Sequence, residues 1–124
     1  MEAVLKRALI PWLVAIAPAA LAAAPELYEP ILEALVRSGT ALEVNTSGLR
    51  QSPGETYPPE PVVARYRVLG GNAVTAGSDA HRANDFAFGL VDGYRVVARA
   101  GFDQLAFRRG DGQVAVGLPD RIRA

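Results

Sequence analysis

The residues best able to do chemistry lie together in Gly77-Ser78-Asp79-Ala80-His81, directly after the apolar run Ala73-Val74-Thr75-Ala76. That run reads as a short buried strand. Asp79 and His81 stand two residues apart, and in extended backbone past a strand end positions i and i+2 project to the same side. One carboxylate oxygen and one imidazole nitrogen then converge on a single cation. Carboxylate with imidazole suits zinc, manganese or iron, whereas an all-oxygen set would indicate magnesium or calcium. His81 is the single histidine of the chain. The competing reading is plain: Asp79 caps the next helix and His81 is an ordinary surface residue, since an Asp-x-His triplet is a weak motif.

The elements that must position these residues alternate along the chain. Residues 25–37 read as a helix, with Leu27, Ile31, Leu32, Leu35 and Val36 at helical spacing, Pro30 in the first turn and Gly39 as the stop. Residues 40–45 form a strand that carries Glu43 and Asn45 near its far end. A long loop over 46–59 follows, rich in proline and glycine, and loops of that length in a compact domain are functional or mobile. Residues 61–69 read as a helix stopped by Gly70-Gly71, then comes the Ala73 strand. Residues 86–100 read as another helix, weakened by Gly89 and Gly93. A strand over 104–107, a basic turn over 108–112, an edge strand over 113–116 and a frayed end over 120–124 complete the chain. Strands separated by helices imply a parallel sheet with right-handed crossovers, open or part of a barrel. Ligands in such sheets sit beyond the carboxyl ends of the strands. Glu43, Asn45, Ser78, Asp79 and His81 all fall there, as does the long loop.

Bulk properties narrow the classes. The 124 residues suffice for one domain and not for two. Thirteen basic and thirteen acidic residues cancel, which gives no reason to expect nucleic acid or an anionic membrane surface as partner. Half the residues are apolar, so the chain is not of the disordered class. Cysteine is absent, which excludes a disulfide framework and a thiolate metal site.

The start admits three readings on its own pattern. Lys6 and Arg7 precede an uncharged stretch over 8–24 that ends in alanines, the outline of a secretory signal peptide. The same stretch is a marginal membrane span, interrupted by Pro11 and Pro18. The third reading is a helix over 2–9 and a buried strand over 12–16.

Several segments, taken in order, carry a family resemblance. Ala41-Leu42-Glu43-Val44-Asn45-Thr46-Ser47-Gly48-Leu49-Arg50, then Glu55-Thr56-Tyr57-Pro58, then Gly77-Ser78-Asp79-Ala80-His81, with Gly101-Phe102 and a strand ending in Phe107 beyond, resemble the histidinol-phosphatases of the PHP (polymerase and histidinol phosphatase) superfamily. The resemblance implies an α/β fold in which parallel β/α units form the C-terminal half of a distorted seven-stranded β/α barrel, TIM-like, with metal ions at its strand ends. It implies cytoplasmic hydrolysis of L-histidinol phosphate to L-histidinol and phosphate in histidine synthesis. It also favours helix plus strand over an export signal for the start, and so a single partial domain over 1–124: 1–24 as the first unit and 25–124 as three further α/β units.

By the same resemblance Asp79 and His81 match the family's final metal-ligand motif, for zinc, manganese or iron. Arg50 is expected at the substrate phosphate, because guanidinium binds phosphate in a bidentate way; its alternative is an ordinary solvated arginine. Glu43, Asn45 and Ser78 are expected to brace the site. The departures are as informative. The family's earlier ligands have no counterpart in this chain, and in the segment where the family has His-Pro-Asp, Pro18 is kept while Ala17 stands at the histidine. Two ligands rarely hold a catalytic metal. The isolated chain is therefore expected to be inactive, or active only with a partner: a missing N-terminal half, or a second copy pairing through uncovered strand edges. The second class of function is a non-catalytic remnant acting as a binding or oligomerisation module.

Overall fold

The computed structural model describes residues 18–123. The expected helix over 2–9, the strand over 12–16 and the position of Ala17 lie outside the described residues. The chain runs as α1 (Pro18–Ala22), α2 (Pro25–Ser38), β1 (Leu42–Asn45), a 3-10 turn (Thr46–Arg50), α3 (Glu60–Val68), β2 (Val74–Gly77), a second 3-10 turn (Ala83–Asp85), α4 (Leu90–Arg99), β3 (Gln104–Arg109), β4 (Gly112–Gly117) and α5 (Asp120–Arg123).

Helix α2 begins with Pro25, whose missing N–H costs nothing at that position, and carries Glu26 in its first turn and Arg37 in its last, both matched to the helix dipole. Gly39 closes it in the left-handed conformation, its N–H reaching Val36 O at 3.2 Å while Thr40 N reaches Leu35 O at 3.0 Å. Two details differ from the sequence reading. Pro30 lies inside the helix rather than in its first turn. Leu27 is 54% exposed and Tyr28 takes its place in the core, one position round the helix.

β1 and β2 pair in parallel, Leu42 opposite Val74 and Asn45 opposite Gly77, with α3 as the connection between them. This mixed α/β arrangement, a small parallel sheet flanked by helices, bears out the alternation. Leu42, Val44 and Val74 are buried with Leu32, Val62, Val63, Tyr66, Val96 and Val97 in one core. Tyr66 anchors it: its hydroxyl donates to the carbonyls of Thr40 and Ala73, both at 3.1 Å, just before the two strands begin. Burial pushes its phenol pKa up, partly offset by the bond to Ala73. Its ring stacks on Phe102 at 6.2 Å between centroids.

The expected strand, turn and returning strand over 104–116 are present, but they do not join the β1–β2 parallel pair. β3 pairs antiparallel with β4 in a separate two-stranded sheet, Gln104 opposite Gly117 and Arg109 opposite Gly112. A two-residue connection cannot hold a crossover helix, so the strand after it returns antiparallel. Among the described residues there are two such sheets and no closed barrel. Leu105 and Ala106 reach the core from β3, whereas every residue of β4 is exposed. The expected helix over 86–100 starts only at Leu90, and residues 120–123 form a helical turn rather than a frayed end.

Candidate functional site

The carboxyl ends of β1 and β2 bring together residues that are far apart in sequence. At the end of β1, Asn45 caps the following 3-10 turn through its side-chain oxygen, which accepts from Ser47 N at 2.9 Å. Its backbone pairs with Tyr57 in both directions, at 2.8 and 2.9 Å, so the loop over 46–59 folds back on the strand. The loop is thus tied at both ends, and its first five residues form the 3-10 turn itself. Gly48 permits this closure: a Cβ there would stand 2.1 Å from Glu55 O.

Thr46 is the hub the sequence reading missed. It is fully buried, and its hydroxyl donates to Phe88 O at 2.6 Å and lies 3.3 Å from Gly77 O. One side chain thereby joins the end of β1, the end of β2 and the segment leading into α4. Gly93 explains itself here, since a Cβ at that position would meet Thr46 Cγ2 at 2.6 Å. The glycine that weakened the helix pattern is the contact point between helix and strand end. The only local signal for Thr46 was a small hydroxyl residue straight after a strand.

Arg50 turns inward. Its Nη1 donates to Ser78 O at 2.7 Å and its Nη2 to Asp79 O at 3.0 Å, and its Nε lies 3.8 Å from Asp85 Oδ2. The side chain is only 19% exposed. It is not the freely solvated arginine that local pattern allowed.

Asp79 and His81 meet by a turn rather than by extended backbone. Asp79 has φ 48°, a left-handed conformation that aspartate tolerates better than most residues. The His81 Nδ1 lies 2.9 Å from Asp79 O and 3.9 Å from Asp79 Oδ1. A carbonyl can only accept, so in this contact Nδ1 is the donor, and Nε2 lies on the far side of the ring. Both side chains are open to solvent, at 82% for His81 and 52% for Asp79. Glu43 is exposed on the same strand face as Asn45, its carboxylate beside Gly77, where a Cβ would lie 3.4 Å from Oε1. Ser78 contributes its carbonyl to Arg50.

Arg50, Ser78, Asp79 and His81 therefore form one connected group, with Asn45 and Glu43 at the neighbouring strand end. Among the described residues no three acidic, histidine or cysteine side chains converge as a metal group. Asp79 and His81 suit a borderline divalent cation in donor type and fall short in number. An open groove lined by Leu49, Thr56, Glu60, Arg95 and Arg99 contains none of these six residues. The Arg99–Glu60 ion pair, at 2.7 Å, stands in it.

No family model matches the chain. Among curated proteins, a "probable histidinol-phosphatase" of Thermotoga maritima is 40% identical over 81 residues, 65% of this chain and 34% of that protein. The chain thus spans about a third of that relative's length. None of the described helices is long and apolar enough to cross a membrane.

Proposed function

We propose that this chain contributes to a phosphoric monoester hydrolase of the histidinol-phosphatase type, acting in the cytoplasm on L-histidinol phosphate or a closely similar small phosphate ester. The observation that carries this reading is the 40% identity over 81 residues to the Thermotoga protein. It is supported by the position of Asp79 and His81 just past a parallel strand, where α/β sheets bind ligands. In this reading the chain supplies the C-terminal half of a PHP-type barrel. Asp79 and His81 are the metal ligands, and Glu43, Asn45 and Ser78 brace the strand ends. Arg50 offers the substrate phosphate the N–H groups it does not spend on Ser78 and Asp79, since a guanidinium has five.

A bound zinc, manganese or iron would supply an acidified water and neutralise charge on the phosphoryl oxygens. Two protein ligands do not make a working centre. The remaining ligands come from residues outside these 124, and these residues by themselves are inactive.

The second reading, a non-catalytic binding or oligomerisation module, is favoured by one observation. Phe107, Val114 and Val116 on the β3–β4 hairpin are exposed, at 39%, 37% and 52%. Elemental analysis of the purified chain, with phosphate release from histidinol phosphate under added manganese or zinc, separates the two. The phosphatase reading expects about one equivalent of metal, lost in H81A and in D79N. Metal far below that level would remove the enzyme reading for this chain, whereas phosphate release is expected only once the missing ligands are supplied. Light scattering at high micromolar concentration tests the module: a strict monomer counts against it.

A further inference from the structure

The hydrogen bonds around Asp79 O have a consequence for His81. That single carbonyl oxygen accepts from Arg50 Nη2 at 3.0 Å on one side and from His81 Nδ1 at 2.9 Å on the other. Arg50 holds the preceding carbonyl, Ser78 O, through its other terminal nitrogen at 2.7 Å. The planar guanidinium therefore grips two consecutive carbonyls of a turn whose second residue sits at φ 48°. Asp85 places an opposite charge 3.8 Å from Nε. Nothing else among the described hydrogen bonds orients the imidazole, which is 82% exposed.

We propose that Arg50 is a positioning residue for His81: by fixing the Ser78 and Asp79 carbonyls it holds the acceptor that locks His81 as the Nδ1–H tautomer, with Nε2 presented as the free donor. The proposal deepens the functional reading above, on which it rests only for the importance of His81. Its physical content is local. A histidine nitrogen becomes a ligand or base according to the bond its other nitrogen makes. An exposed imidazole on an unsupported turn would exchange that bond for water. The guanidinium removes the freedom of the turn, and with it the freedom of the ring. Arg50 need not touch a substrate for its loss to be felt.

The test uses the fact that the chain has one histidine, so imidazole resonances report one site. Nitrogen-15 chemical shifts and long-range couplings are recorded at a pH of about 8.5, above the usual histidine range, for the wild type and for R50Q, R50K and R82Q. The wild type is expected to show predominantly the Nδ1–H tautomer. R50Q is expected to lose that preference and to bind zinc alone about tenfold more weakly, the scale seen when the partner of a ligating histidine is removed. R50K, which retains N–H donors, recovers part of both. Arg82 is exposed beside His81, and R82Q removes an equal charge while leaving both tautomer and zinc affinity unchanged. A wild-type ring dominated by the Nε2–H tautomer overturns the proposal, whether or not R50Q folds. So does a folded R50Q, by amide spectrum, with wild-type tautomer and zinc affinity. A wild-type chain that binds no zinc alongside an intact Nδ1–H signal would instead sink the metal-dependent phosphatase reading and leave this inference standing on the tautomer alone.

Discussion

The two ends of the β1–β2 pair are built on opposite principles. At the amino ends, Tyr66 is 1% exposed, stacks on Phe102 and bonds Thr40 O and Ala73 O, so a buried ring anchors both strands. At the carboxyl ends, Arg50, Asp79 and His81 form a polar chain that opens to solvent. The first end is held by packing around one large side chain. The second is held by hydrogen bonds to backbone carbonyls, with Thr46 as its only fully buried member. The contrast shows how a small parallel sheet separates its tasks: burial carries stability at one end, and directional bonds arrange exposed groups at the other.

Three changes sharpen or break this contrast. The largest effect is expected from Y66A, which empties the core and removes the hydroxyl shared by Thr40 O and Ala73 O. It should cost about 3–5 kcal/mol in urea denaturation, and a loss below about 1 kcal/mol would show that packing at that end is not the anchor. Next comes T46V, which keeps the shape and removes the donor to Phe88 O. The expected loss is about 1–3 kcal/mol, together with faster amide exchange in residues 86–90 while the residues around Tyr66 stay protected. Equal loosening at both ends would mean that the two are not separately built.

The smallest effect concerns pH. Y66F removes one hydroxyl and should cost about 1 kcal/mol near neutrality. Burial raises the Tyr66 phenol pKa, so the folded state holds that proton more tightly than the unfolded chain does. The corresponding stability is fully present below the usual tyrosine value of about 10 and is lost as pH rises from there through the raised folded value. The wild type should therefore lose stability more steeply than Y66F on the alkaline side. Parallel curves from neutral pH to strong alkali would contradict the assigned burial of the phenol.

Much of the frame was legible in the residues. Pro25 and Gly39 bracket a helix, and Gly70-Gly71 ends another, because caps and breakers act within a turn of themselves. The strand around Val74 announced itself as a short apolar run after Gly70-Gly71, and the one around Val44 as a short stretch between Gly39 and the long loop. The helix before Leu90 misled because Phe86 and Phe88 supply apolar residues that the structure leaves exposed, at 81% and 42%. The β3–β4 hairpin was legible as two runs joined by a short basic turn, whereas its separation from the β1–β2 pair was not, because that depends on packing between distant segments. The pairing of Asp79 with His81 was visible as spacing, and the left-handed turn that brings it about was not.

By itself, the sequence determined the local pieces: where proline and glycine bracket a helix, which runs are strands, and that one aspartate and the single histidine follow a strand end. Only the tertiary structure decided that Arg50 faces inward to the Asp79 carbonyl, that Thr46 ties both strand ends to the approach of α4, and that Asp85 backs the arginine. Those partners lie 28 to 42 residues apart where the hydrogen bonds join them. A propensity acts over a few residues, whereas a hydrogen bond across a fold exists only once packing has brought its donor and acceptor within reach.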